Sequence, residues 1–123
     1  MSRVGQLINS QTGAVALEHV HWCSSFFCKL RGLMFRRTLG PGEGLLMVEP
    51  AAGRVTTSIH MFFMAFSIAT VWMDSQFTVV DKVLAKPWRP FYMPARAACY
   101  TLEAAPDLLE RVEIGDRLAF KDN

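Results

Sequence analysis

Ser67-Ile68-Ala69-Thr70-Val71-Trp72-Met73, then Asp74-Ser75-Gln76, then Phe77-Thr78-Val79-Val80-Asp81-Lys82-Val83-Leu84 is the stretch that decides the fold. Its first run is almost continuously apolar, which suggests a strand buried on both faces. Asp74 to Gln76 reads as a tight turn, and Phe77 to Leu84 pairs back as a second strand. Just upstream, Ser58 to Met64 carries the same apolar character, so 58–73 reads as two buried strands or one bent strand.

Toward the N-terminus, Val4 to Ile8 and Ala14 to Val20 flank Asn9-Ser10-Gln11-Thr12-Gly13, which predicts a hairpin. A short helix follows. Ser24 can cap it, Phe26, Phe27, Leu30 and Leu33 share one face, and Gly32 ends it. Gly40 to Gly44 is a turn and Leu45 to Val48 a short strand. Toward the C-terminus, Pro87, Pro90 and Pro94 make 86–94 an extended loop. Ala97 to Glu103 is a strand, Pro106 to Val112 a short helix, and Arg117 to Lys121 the last strand. These elements predict one mainly β domain over residues 1–123. It would be a β-sandwich or partly closed barrel of about seven or eight short strands with two short helices.

The chain has 123 residues, enough for a sizeable core, and its 51% apolar content argues against disorder. The apolar excess implies either a large core or apolar surface kept for a partner. A net charge of +2 is too small to draw in nucleic acid as a whole-protein field. Lys29, Arg31, Arg36 and Arg37 form a local basic cluster, readable as a solvated helix end or as a site for phosphate or an acidic partner. Three cysteines fit a reduced, cytoplasmic protein, and Cys23 and Cys28 are expected to be buried or free thiols. The first eight residues show no signal-peptide pattern, and Ile59 to Met73 is too short to span a membrane.

Several segments in order carry a resemblance: Leu30-Arg31-Gly32-Leu33-Met34, Gly42-Glu43-Gly44-Leu45-Leu46, Ser58-Ile59-His60, Phe62-Phe63-Met64, Lys86-Pro87-Trp88-Arg89-Pro90, Leu102-Glu103 and Gly115-Asp116-Arg117-Leu118. Together they resemble the prokaryotic, here bacterial, family known as domain of unknown function 192. The branch is the one with a His-x-Phe-Phe-Met motif, and the likeness spans roughly residues 23–120. The resemblance implies a small β-rich fold, no established catalytic residue, cofactor or substrate, and only an associational link to envelope or secretion machinery. Where that branch usually carries Arg and Asp, this chain has Ala65 and Ala69, so a function built on that pair is absent.

His60 can be a core imidazole or a ligand contact. The loop of Lys86, Trp88, Arg89, Phe91 and Tyr92 combines aromatics with a planar cation on a proline-stiffened frame, which suits a binding surface or a packed lid. Arg31 and Glu103 are further candidates. No spacing predicts a metal site, a cofactor or a nucleophile with its base. The leading expectation is a non-catalytic module binding a small ligand or a protein through His60, Trp88, Arg89, Tyr92, Arg31 and Glu103. The alternative is a small enzyme, such as a hydrolase, using a cleft near His60.

Overall fold

The computed structural model describes residues 3–34 and 36–122, and the side chains of Phe26, Phe27 and Leu30 lie outside that description. The one-face arrangement expected of those three with Leu33 therefore falls outside the described residues.

Seven strands run in the order β1 (Arg3–Asn9), β2 (Val15–Cys23), β3 (Glu43–Gly53), β4 (Ile68–Met73), β5 (Val79–Ala85), β6 (Ala98–Ala104) and β7 (Leu118–Asp122). They form one mixed sheet in the order β5-β4-β6-β3-β2-β1-β7. Among the described residues only β2 and β3 are parallel neighbours; the other pairs are antiparallel. A parallel pair needs a crossover, and here it carries α1 (Phe26–Arg31). The expected sandwich or partly closed barrel is thus corrected to a single open sheet. The segments leading into its two edge strands touch at one corner, where Thr78 bridges Arg117 and Val79 N donates to Asp116 O at 2.8 Å. β5 and β7 do not pair along their length, so the sheet does not close.

Strand alternation divides the apolar residues between two cores. Leu46, Leu102, Val71 and Leu7 lie on one face, closed by Leu108 and Val112. Leu45, Met47, Ile68 and Trp72 lie on the other, closed by Leu33, Ile59, Met61 and Met64. Every residue of β4 is buried, which accounts for the unbroken apolar run. Turn chemistry works as the sequence indicates at two hairpins. Asn9 Oδ1 accepts from Gln11 N at 2.9 Å, and Asp74 Oδ1 accepts from Gln76 N at 2.9 Å and from Thr78 N at 3.0 Å.

Three expectations need correction. Ser58 to Met64 is no strand: its one ladder-type pairing with the 86–92 loop is the isolated Ile59–Tyr92 bridge, and it turns at Phe62-Phe63. Pro106–Glu110 is a 3-10 turn, since Leu108 N donates to Ala105 O and Arg111 N to Leu108 O, both three residues back. Cys23 and Cys28 are joined as a disulfide, because the bend at Ser24-Ser25 brings the end of β2 within 5.8 Å, Cα to Cα, of the first turn of α1. Cys99 is buried and free. With two of the three cysteines paired, their odd number no longer argues for a compartment.

Candidate functional site

Glu103 is the most unusual side chain of the structure. On β6 it stands opposite Leu45 of β3 and Thr70 of β4, on the face that α1 covers. It is 6% exposed, and among the described residues no hydrogen bond or ion pair reaches its carboxyl. Burial alone pushes its pKa up to about 7, because the charged form has lost water and gained no partner. Beside it, the wholly buried Thr70 Oγ1 also lacks a hydrogen-bond partner. A wholly buried hydroxyl orphaned in this way is uncommon in folded proteins.

A cavity of about 120 Å³ opens onto the carboxyl. Lys29, Gly32, Glu49, Thr57, His60 and Thr101 help to wall it, and the exposed Arg31 also borders it. An apolar cavity of comparable size, about 150 Å³, holds a benzene-sized molecule. Lys29 is held in place, its Nζ donating to Val48 O at 3.2 Å and to Glu49 Oε2 at 3.1 Å. His60 Nδ1 accepts from Phe62 N at 3.2 Å, and its ring lies 5.3 Å from that of Phe62.

The end of α1 forms the lid of this space. Ser25, and not the expected Ser24, caps the helix, accepting from Cys28 N at 3.1 Å, and Gly32 ends it with N donating to Cys28 O at 2.9 Å. Gly32 has φ +50°, where an L side chain is strained, while a Cβ there would lie an ordinary 3.8 Å from Glu103 Oε1. Gly32→Ala is therefore expected to lower stability by about 2 kcal/mol through backbone strain rather than collision. Urea denaturation measures this, and a loss well under about 1 kcal/mol would show that the turn relaxes freely.

Beyond Arg31, Gly32 and Leu33 lies a wider cavity of about 660 Å³, bordered by His21, Arg36 and Glu43. Its carboxylate is already paired. Arg36 donates twice to Glu43, at 3.0 and 3.1 Å, and Gly40 N donates to Glu43 Oε1 at 2.9 Å. Arg36, helped by the Gly40 amide, holds the Glu43 carboxyl below the usual range against its partial burial. The smaller cavity is thus the one that presents an unpaired acid.

Of the residues singled out from the sequence, Arg31, His60 and Glu103 border the Glu103 cavity, while Trp88, Arg89 and Tyr92 do not. Tyr92 packs inward and pairs with Ile59, whereas Trp88 is 58% exposed. The loop is consequently part packed lid and part open surface. The basic cluster is divided, with Lys29 bonded to Glu49 and Arg36 to Glu43. Glu49 carried no local signal, since only strand register and the α1 crossover bring it to the cavity wall. Among the described residues no group of three or more His, Cys, Asp or Glu could hold a metal ion, and no helix is long and apolar enough to cross a membrane.

Comparison with known proteins gives a consistent picture. A family model described as Uncharacterized ACR, DUF192, matches residues 7–120. A UPF0127 protein of Thermococcus sibiricus is 39% identical over 114 residues, covering 91% of this chain and 72% of the relative. Another, from Pyrococcus furiosus, is 36% identical over 114 residues, covering 91% and 95%. A crystal structure from Sinorhizobium meliloti, of a protein provisionally designated a transcription regulator, superposes with a TM-score of 0.82 at 22% identity, covering 98% of this chain and 94% of that one. A protein of unknown function from Novosphingobium aromaticivorans gives 0.78 at 18% identity, covering 96% and 84%. At these identities the two structures establish the fold alone.

Proposed function

The chain belongs to the DUF192 family, and on that premise we propose that it is a non-catalytic binding module for a small zwitterionic ligand seated over Glu103. The observation that carries this reading is the buried carboxyl with no partner at the floor of a cavity. A ligand ammonium group would supply the missing donors and the opposite charge. The exposed Arg31 guanidinium at the border suits the ligand's anionic end. His60 stands in the same wall and can add a hydrogen bond. The reading as a hydrolase has less support, because no hydrogen bond among the described residues joins His60 to Glu103.

The sign of the pH dependence follows from the raised pKa. Below about 7 the free protein holds a proton on Glu103 that an ammonium ligand must displace. Affinity is therefore expected to fall by about tenfold for each pH unit below that value. Calorimetric titration with glycine, β-alanine and ethanolamine phosphate tests it. At least one should bind, with proton release on the acid side, and Glu103→Gln should abolish the heat. Failure of all three to bind, or an affinity flat with pH, contradicts the reading.

A further inference from the structure

Away from the cavity, two adjacent turns hold aromatic rings in solvent. Phe62 and Phe63 occupy the middle of the turn closed by Met64 N donating to Met61 O at 3.3 Å. Pro87 and Trp88 occupy the middle of the turn closed by Arg89 N donating to Lys86 O at 3.4 Å. Each turn puts an aromatic residue in the left-handed region, Phe63 at φ 63° and Trp88 at φ 65°, where glycine is the least strained choice. The two turns are tied by four backbone hydrogen bonds, an exchanged pair between Ile59 and Tyr92, Met61 N to Arg89 O, and Trp88 N to Met61 O. The Trp88 ring meets those of Phe62 and Phe63 edge-on at 6.4 and 5.2 Å. Phe62 remains 39% exposed, Trp88 58% and Phe91 55%. A rigid frame therefore keeps large apolar rings outside, in spite of backbone strain and loss of burial.

The two segments that form this tip carry charge of one sign. Residues 58–66 and 86–94 contain Lys86 and Arg89 and no Asp or Glu. Lys86 and Arg89 flank Trp88, and both are exposed. Apolar rings at a turn tip with cations beside them match a lipid surface with anionic headgroups. Trp and Phe settle at the headgroup boundary, and each cation adds attraction. Single-stranded nucleic acid needs ring faces open in series along a basic groove. Here the rings turn edges to one another at 62° and 61° and cluster on two turns.

We propose that the Phe62–Trp88–Phe91 tip docks this protein on anionic membrane surfaces. Trp88 and Arg89 do not border the Glu103 cavity, so docking and ligand binding can fail separately. Co-sedimentation with phosphatidylcholine vesicles, with and without phosphatidylglycerol, at low salt is the test. Wild type should bind the mixed vesicles, release them as salt rises, and leave pure phosphatidylcholine largely unbound. The double variant Lys86→Glu/Arg89→Glu should bind at least roughly 25-fold more weakly. Trp88→Gly should lose about tenfold while keeping its fold by circular dichroism, because glycine suits that φ. Absence of binding to mixed vesicles, undiminished binding by a folded Trp88→Gly, or capture of a single-stranded oligonucleotide without vesicle binding would each overturn the proposal.

Discussion

Replacing Glu103 by Gln is expected to raise stability by about 3 kcal/mol above neutral pH and to change it little below pH 4.5. Gln has nearly the same shape and never needs to carry charge in the core. In wild type the native carboxyl keeps its proton up to about 7, while the unfolded chain releases it near 4.5. The native state thus binds more protons across that window, so stability is full below 4.5, declines through the window, and stays low above about 7. The size follows from roughly 1.4 kcal/mol for each tenfold difference in proton affinity between the folded and unfolded chains. Chemical denaturation of both proteins over the pH range isolates this group, because other titrations cancel in the difference. Glu43, held low by Arg36, acts with the opposite sign, losing its contribution as pH falls, and is common to both. Superimposable profiles would mean that Glu103 has found a partner or water, and the cavity would lose its distinguishing feature.

Trp72→Ala is expected to cost about 4–5 kcal/mol, a large share of the roughly 5–15 kcal/mol that holds a domain together. The ring is 1% exposed at the centre of the core beneath Ile59, Met61 and Met64. Its Nε1 donates to Thr57 O at 2.7 Å. Truncation both opens a cavity and strips that carbonyl of its best donor; Thr101 Oγ1 is a distant second donor at 3.4 Å. Trp72→Phe keeps most of the packing and loses the bond, so a cost of about 1–2 kcal/mol is expected. Because this bond anchors the 57–61 segment, the alanine variant should also loosen the wall of the Glu103 cavity. Urea midpoints measure both changes, and a loss below about 1 kcal/mol for alanine would contradict the packing described.

The hairpin of β4 and β5 was legible in the sequence because its signals are local: an apolar run, an Asp that caps its own turn, and a returning run. The hairpin at Asn9 was legible for the same reason. Ser58 to Met64 was not, because Phe62 and Phe63 occupy turn positions where sequence rules look for Gly, Asn or Asp. Aromatics at left-handed φ, supported by the neighbouring loop, give a turn the pattern of a strand. The disulfide depended on how sharply the chain bends between Cys23 and Cys28, which spacing does not state. The open single sheet depends on which strands become neighbours, and the parallel β2–β3 pair has no local mark.

The site was legible in part. Glu103, His60 and Arg31 could be named as polar groups in unusual apolar or motif-like company. That they share one cavity, with Gly32 over the carboxyl, follows from register across β3, β6 and β4 and from the path of α1. The 86–94 loop could be recognised as rigid and aromatic. Its division into an inward Tyr92 and an outward Trp88 follows from hydrogen bonds to 59–61 that no sequence pattern displays.

The most direct test is the titration of the Glu103 side-chain carboxyl carbon by NMR, in the free protein and with glycine, β-alanine or ethanolamine phosphate. A midpoint near 7 in the free protein, moving to lower pH with at least one of these ligands, is the expected result. A midpoint at the ordinary glutamate value of 4.5, unmoved by all three, would contradict the assignment of Glu103 as the floor of a ligand site.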